Sequence, residues 1–183
     1  TSENGMQVTK LKADGTPDST FAAATFGILS IGTAGDQGES IQQLNDRSYI
    51  VAGKTEGGAG AQSQVYLNTI SQAGTSVLTR TMGGTFDDGV KSIIPTHGDG
   101  GFAFTGYKYN DNTKDNIWIV KLTATLTTEW DKIYGGEFND NGASIMQTDD
   151  GGYIITGSTM SFGNQSQIIL LKIQDDGCVY DDS

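Results

Sequence analysis

The feature that most constrains the fold of this chain is a repeat of about 52 residues. Residues 82–107, MGGTFDDGVKSIIPTHGDGGFAFTGY, closely match residues 134–159, YGGEFNDNGASIMQTDDGGYIITGST. A more diverged copy precedes them, because Ile41, Ile93 and Ile145 lie 52 positions apart and each follows a serine. A tandem repeat of this length predicts one supersecondary unit, copied along the chain, that buries its apolar surface against its neighbours.

The repeat register divides the chain into a partial unit over residues 1–30 and three full repeats over residues 31–82, 83–134 and 135–183. Together they are predicted to form a single repeat domain over residues 1–183. The partial unit contains only the second half of a repeat. The positions expected to serve the fold of each unit are Gly84 and Gly136, the three isoleucines Ile41, Ile93 and Ile145, and Gly53, Gly106 and Gly157.

Each repeat contains four short apolar or β-branched runs, separated by clusters of Gly, Asn and Asp that favour turns. No window shows sustained helical periodicity. The third run, IWIV in residues 117–120 and IILL in residues 168–171, is apolar on both faces and therefore has to be covered on both sides. A period near fifty with four strands is the size of a kelch-like propeller blade. The sequence therefore predicts an all-β protein of tandem four-stranded blades of the β-propeller type.

Three full repeats and a partial one are too few for a closed propeller, which usually has four to eight blades. The chain could be a fragment of a longer propeller, copies could associate to complete a ring, or the units could form an open array. An open array would leave sheet edges and an apolar face exposed. The predicted partners are therefore copies of the same chain or further blades of a longer one.

Several residues carry a resemblance to a known family. An aromatic-Gly-Gly triplet, an Asp, a Gly-rich turn, an apolar strand ending in Gly-Ser-Thr and a Lys-containing strand before Asp-Gly occur here as Tyr134, Gly135, Gly136, Asp140, Gly151, Gly152, Gly157, Ser158, Thr159, Lys172, Asp176 and Gly177. This pattern resembles the bacterial secreted β-propeller repeats of the SBBP type. The N-terminal VTKLKADGTPDSTF resembles a related delta-type repeat through Lys10, Asp14, Gly15, Asp18 and Phe21.

The resemblance implies an extracellular or cell-surface multidomain protein, and it offers no catalytic residues to transfer to this chain. The first full repeat departs most from the pattern. It has Ile31 and Gly32 in place of Gly-Gly, and Asn68 and Thr69 at the end of its third run, where Lys172 stands in the last repeat.

Charge excludes some classes of partner. The chain has 11 basic and 22 acidic residues, a formal net charge of −11, and it lacks a cluster of Lys or Arg. This composition argues against nucleic acid and anionic membranes as partners.

No apolar run approaches the eighteen or more residues that cross a bilayer, so membrane insertion is not expected. The N-terminal TSENG has neither an initiator Met nor a signal-peptide pattern, which favours a processed form or a piece of a longer chain. The single cysteine, Cys178, excludes a disulfide within the chain, and its role stays open.

Three aligned aspartates are candidate calcium ligands. Asp36, Asp88 and Asp140 occupy Gly- and Asn-rich loops before the first run of their repeats, and carboxylate oxygens are typical Ca²⁺ ligands. The alternative is that each accepts backbone N–H groups within a tight loop and serves the fold of its unit. The loop YKYNDNTKDN over residues 107–116 also contains acidic residues, but it lacks the Gly and Glu of an EF-hand and is expected to be a solvated hairpin loop.

Aromatic side chains near the loops are the candidate ligand-binding residues. Tyr107, Tyr109 and Trp130 could stack on sugar rings, whereas Trp118 lies within an apolar run and is expected in the core. The single histidine, His97, has no accompanying nucleophile motif, so an enzyme is not expected.

The sequence therefore predicts a non-catalytic, extracellular β-propeller repeat module that acts as a scaffold or as an adhesion and assembly surface. Two alternatives remain: a carbohydrate-binding, lectin-like module, and a fragment of a secreted hydrolase. No cofactor is expected apart from the candidate structural Ca²⁺.

Overall fold

A computed structural model describes residues 5–56, 62–109, 114–163 and 165–179 of the chain. The described residues form thirteen β-strands and one short 3-10 helix, so the predicted all-β class is confirmed. The chain divides into two compact units, Thr1–Met82 and Gly83–Ser183. The described part contains no helix with the length and apolar character of a membrane span.

The first unit contains a two-stranded ribbon and a four-stranded sheet. Strands β1 (Met6–Thr9) and β2 (Ile28–Ile31) pair antiparallel and form the N-terminal ribbon, with the 3-10 helix Ala23–Thr25 between them. Strands β3 (Gln37–Gln43), β4 (Tyr49–Glu56), β5 (Ser63–Ile70) and β6 (Ser76–Met82) pair antiparallel in chain order and form the first sheet.

The second unit contains two sheets in which consecutive strands pair antiparallel. The first of them has four strands and the other three, so the described residues contain the predicted four strands per repeat in the first and second sheets but not in the third. Strands β7 (Asp88–Pro95), β8 (Phe102–Tyr109), β9 (Asp115–Leu122) and β10 (Thr128–Tyr134) form the second sheet. Strands β11 (Asp140–Gln147), β12 (Tyr153–Thr159) and β13 (Gln167–Ile173) form the third sheet. An isolated bridge between Ile173 and Val179 follows β13. The described strands form separate antiparallel sheets, one from each predicted full repeat, and do not close into a barrel.

The same tight turn follows the third strand of every repeat. In each case a residue donates its backbone N–H to the carbonyl four positions later, as in Gln174 to Cys178 at 2.8 Å. The turn requires a left-handed residue, which is Gly74 in the first repeat, Leu126, at φ 62°, in the second and Gly177 in the third. The N-terminal ribbon contains this turn as well, between Lys12 and Thr16 with Gly15 at φ 83°. The ribbon therefore corresponds to the third and fourth strands of a repeat, with β1 equivalent to β5, β9 and β13.

Within the second unit, the third sheet packs against one face of the second. A single apolar cluster contains Ala103, Ile117 and Ile119 from the second sheet together with Ile145 and Ile155 from the third. Strand β11 lies against β7, β8 and β9. Residues 117–120 of β9 are all at most 2% exposed, so this run is buried on both faces, as its composition predicts.

Within the first unit, the ribbon packs against the first sheet in the equivalent way. Met6 and Val8 of β1 belong to an apolar cluster with Val51 and Ile70 of the first sheet, and Phe21 from the ribbon's connecting segment completes it. The ribbon has only two strands, however, and the contact of β1 with β3 is slight compared with that of β11 with the second sheet. The first strand of the first sheet is therefore less covered than β11.

Candidate functional site

The aligned aspartates lie at the start of the first strand of each sheet, and hydrogen-bond donors surround them. Asp140 accepts the backbone N–H of Gly136 at 2.9 Å and that of Met160 at 3.2 Å. The hydroxyls of Ser161, at 2.7 Å, and Thr159 also donate to it. The carboxylate thus ties the loop before β11 to the end of β12.

The other two aspartates connect the same two places in their own sheets. Asp88 accepts the backbone N–H groups of Gly84 and of Tyr109, the latter at 3.1 Å. Asp36 accepts those of Thr33 at 2.7 Å and Glu56 at 3.2 Å. An Asp that satisfies backbone N–H groups at both ends of a loop serves the fold of the repeat.

The environments of two of these carboxylates differ, although both residues are buried. Burial raises the pKa of Asp88 above its ordinary value, since only backbone N–H groups and the nearby Lys108 oppose this effect. Burial also acts on Asp140, but the hydrogen bonds from Thr159 and Ser161 outweigh it and lower its pKa. Thr159 pairs with Asp140 at the end of β12 in the third sheet. The equivalent residue, which pairs with Asp88 in the second sheet, is Lys108. Ionisation of the two carboxylates therefore affects stability with opposite signs.

These carboxylates do not gather into a metal centre. Within the residues that the structure describes, no group of three or more His, Cys, Asp or Glu side chains is arranged to hold a metal ion. Much of the acidic loop over residues 107–116, including Asp111 and Asn112, lies outside the described residues. Asp115, at its described end, has a raised pKa because of burial and the charges of Asp87 and Asp88.

The two candidate tyrosines lie in and at the end of β8. Tyr107 is paired with Gly89 across the sheet, and its ring lies where a side chain on Gly89 would project. Tyr109 is 37% exposed and stacks obliquely on Phe86, with ring centroids 5.0 Å apart. Tyr109 thus presents aromatic surface beside the loop, and its role in ligand binding stays a prediction.

The third candidate aromatic residue, Trp130, connects the second and third sheets. Its indole N–H donates to the carbonyl of Asp175 at 3.0 Å, and its ring contacts Tyr153 edge-on at 5.8 Å. A side chain on Gly177 would press on the indole at 3.0 Å. This arrangement accounts for Trp130 as a contact between sheets, and sugar stacking at its ring stays a prediction.

A polar cleft of about 320 Å³ adjoins Trp130 in the second unit, and His97 lines it. Lys121 lines the cleft too and is 5% exposed, with its ammonium 2.5 Å from Asp99 and 3.0 Å from Glu129. The third sheet repeats part of this arrangement, because Lys172 lies 2.8 Å from Asp150. In both sheets the Lys of the third strand holds the turn between the first and second strands. The exposed Cys178 thiol lies outside this cleft.

The sequence analysis did not identify these Lys–Asp ion pairs as part of a site. The repeat spacing could have identified them, because Lys121 and Lys172 are 51 positions apart, as are Asp99 and Asp150. Trp118, expected in the core, is 2% exposed, and its indole N–H donates to Asp131 at 3.1 Å.

The repeated strand glycines sit where two strands approach closely. Gly53, Gly106 and Gly157 each face the irregular point of the first strand of their sheet, where the pairing register shifts. A Cβ on any of them would overlap a backbone carbonyl of that strand. Gly84 and Gly136 instead donate their N–H groups to Asp88 and Asp140. All five glycines thus have local structural roles.

The three aligned isoleucines have the same position within their sheets but differ in burial. Each pairs with an apolar residue of the second strand: Ile41 with Val51, Ile93 with Phe104, and Ile145 with Ile155. Ile93 is 0% and Ile145 3% exposed, whereas Ile41 is 50% exposed. The three isoleucines are therefore equivalent in their backbone pairing, but Ile41 is far less buried than the other two. The narrow ribbon explains the difference, because it covers the first sheet with only two strands.

The largest difference between equivalent residues concerns the outer face of the third sheet. Ile117 and Ile119 of β9 are both 0% exposed, in the cluster that the third sheet covers. Their equivalents 51 positions later, Ile168 and Leu170 of β13, are 88% and 70% exposed, so within the described residues the prediction that this run is covered on both faces is not met. On β11, at the other edge of the third sheet, Met146 is 60% exposed on the same face. We call the surface formed by Met146, Ile168 and Leu170 the outer apolar face.

Side chains on the outer apolar face cannot perform catalysis, but they can bind another apolar surface. Large apolar side chains exposed on one face of a sheet can mark an interaction site. No protein-family model matches the chain, and comparison with curated proteins finds no matching relative. The resemblance to SBBP and delta-type repeats therefore stays a prediction.

Proposed function

We propose that this chain is a non-catalytic repeat module of the β-propeller type that assembles by stacking its sheets on other sheets of the same kind. The outer apolar face carries the proposal. On the same chain, the equivalent face of the second sheet is covered by a whole neighbouring sheet, so the chain itself supplies the template for the missing contact.

The composition of the two faces supports this assignment. Ile168 and Leu170 on β13 repeat the pattern of Ile117 and Ile119 on β9, which pack against Ile145 and its neighbours. A sheet that meets only water on one side usually carries polar residues there. Two large aliphatic side chains at 88% and 70% exposure are consistent with a face that another sheet covers.

The proposed biological role is that of a scaffold or assembly surface outside the cell. The extracellular location rests on the resemblance to secreted repeats, and the non-catalytic assignment on the structural roles of the aligned aspartates and glycines. The partners are copies of this chain or further repeats of the same type.

The expected affinity between two copies is weak. Covering Ile168 and Leu170 contributes about 3 to 6 kcal/mol in total. Association costs at least about 4 kcal/mol in lost translational and rotational freedom. The net charge of −11 adds repulsion between copies, which salt screens. Self-association should therefore require high protein concentration and should strengthen as the salt concentration rises.

The experiment is a measurement of molar mass by sedimentation equilibrium, over a wide range of protein concentration and at two salt concentrations. The wild type should show a mass that rises with concentration, and Leu170→Glu should remain monomeric because it buries a charge in the interface. Ile133→Glu, at an equally apolar residue of β10 that is 46% exposed, is the matched control and should associate like the wild type. A wild type that stays monomeric throughout, or equal association of Leu170→Glu, would contradict the proposal.

A further inference from the structure

One edge of strand β1 has no partner strand among the described residues, although the equivalent edge is paired in each of the three sheets. Strands β5, β9 and β13 each pair with the second strand of their repeat on one side. Strand β1, which is equivalent to them, pairs with β2, and no strand among the described residues pairs with its other edge. Alternate N–H and C=O groups of an edge strand point away from its single partner, and they can pair with an added strand.

A groove runs beside this edge within the first unit. Its volume is about 310 Å³, and its lining includes Met6 and Val8 of β1, Gly38 and Ile41 of β3, and Val51 of β4. Ile41 is the exposed apolar residue of the groove, at 50%. The groove therefore combines an open strand edge with an apolar floor.

The second unit shows what occupies the equivalent space. There, β8 pairs with β9 and also lies against β11, where Ile145 is 3% exposed. Ala103 of β8 belongs to the same apolar cluster as Ile145. In the first unit β1 takes the place of β9, and β3 that of β11. A strand at the position of β8 would therefore pair with β1 and cover Ile41.

We propose that the free edge of β1 binds an extended segment with apolar residues at alternate positions, of the type found in β8 and β12. The backbone of the segment pairs antiparallel with Met6–Thr9, and an apolar side chain at the position of Ala103 packs on Ile41. In β12 the residue at this position is Ile154, opposite Lys172 as Ala103 is opposite Lys121.

The occupant is a segment without a sheet of its own, and not a folded second copy of the chain. In each sheet the second strand, β4, β8 or β12, already pairs on both edges. A folded copy would have to break one of its own sheets to supply such a strand. This inference extends the proposed function. It rests on one part of it, namely that the ribbon is an incomplete sheet of the repeat type, which the added strand completes.

The test uses a labelled synthetic peptide with the sequence of Gly152–Thr159, GYIITGST, and the full chain at concentrations where it is monomeric. Fluorescence anisotropy should show saturable binding. Ile41→Glu should weaken it at least about tenfold, since the peptide would bury a charge. The peptide with Ile154→Asp should lose binding in the same way, a result that does not depend on the folding of a protein variant.

Two further measurements locate the site and separate it from the outer apolar face. Hydrogen exchange of the Met6–Thr9 amides should slow when the peptide binds, and Leu170→Glu should bind the peptide as tightly as the wild type. Ile41→Glu should leave the self-association of the chain unchanged. The proposal is overturned if the peptide does not bind, if Ile41→Glu binds it with unchanged affinity, or if Ile41→Glu abolishes self-association, which would make the occupant a second copy.

Discussion

Truncation of two equivalent side chains measures how much one sheet stabilises the next. Ile119 in β9 and Leu170 in β13 occupy the same position of successive repeats and are 0% and 70% exposed. We expect Ile119→Ala to lower the free energy of unfolding by about 2 to 5 kcal/mol, because the change removes buried methyl groups and leaves a cavity.

Leu170→Ala should cost much less. Full burial of the three carbons that this change removes is worth about 2.4 kcal/mol at about 0.8 kcal/mol each. Only some 30% of the side chain is covered, since 70% is exposed, so the expected loss is about 0.7 kcal/mol. The loss for Ile119→Ala is therefore predicted to be at least about three times that for Leu170→Ala.

The assay is urea unfolding followed by tryptophan fluorescence. Both tryptophans of the chain, Trp118 and Trp130, lie in the second sheet, so the fluorescence signal comes from the second unit. Measurements at two low protein concentrations verify that the chain is monomeric. Equal losses for the two variants would refute the reasoning, because they would show that the outer apolar face is as well covered as the face between the sheets.

The remaining predictions concern single positions. Asp140→Asn should lower the free energy of unfolding at neutral pH by about 1 to 3 kcal/mol. In the wild type, the stabilisation from ionised Asp140 should be lost as pH falls below the ordinary carboxyl pKa, because the pKa of Asp140 is lowered in the folded state. Asp88→Asn should cost less or stabilise, since the raised pKa of Asp88 makes its ionised form unfavourable. Both are measured by urea unfolding from pH 3 to 7, and a larger loss for Asp88→Asn would contradict the assignment. Gly142→Ala should cost about 1 to 3 kcal/mol through overlap with the Thr105 hydroxyl. Thr105→Ala should restore stability in the double variant; failure of this rescue would exclude the contact. Calcium or chelator should leave the melting temperature unchanged, because N–H and O–H donors surround the aligned carboxylates, and a rise with calcium would reveal a metal site.

The sequence predicted those parts of the fold that depend on local chemistry. The repeat register located equivalent strands, because Ile41, Ile93 and Ile145 each pair with the second strand in the same way. The strand glycines and loop aspartates were recognised as repeated positions, since a glycine at a close approach and an aspartate that satisfies N–H groups recur with every copy.

Burial by neighbouring sheets was not predictable in the same way. Ile119 and Leu170 look alike in the sequence, yet one is buried and the other exposed. The difference arises from the sheet that lies beside each of them and not from the residue itself. Likewise, the pKa values of Asp88 and Asp140 shift in opposite directions although both residues are buried. The hydroxyls of Thr159 and Ser161 donate to Asp140, whereas Lys108 stands at the position of Thr159 in the second sheet.

The packing of the third sheet on the second is the central claim, and a nuclear Overhauser measurement tests it most directly. Gly142 of β11 lies against the Thr105 side chain of β8, and the Ile145 amide nitrogen lies 3.5 Å from the Ser92 hydroxyl oxygen. This packing predicts cross-peaks from the Gly142 Hα protons to Thr105 and from the Ile145 amide proton to the Ser92 Hβ protons. A spectrum with the cross-strand peaks within each sheet, but with neither of these peaks between the sheets, would contradict it.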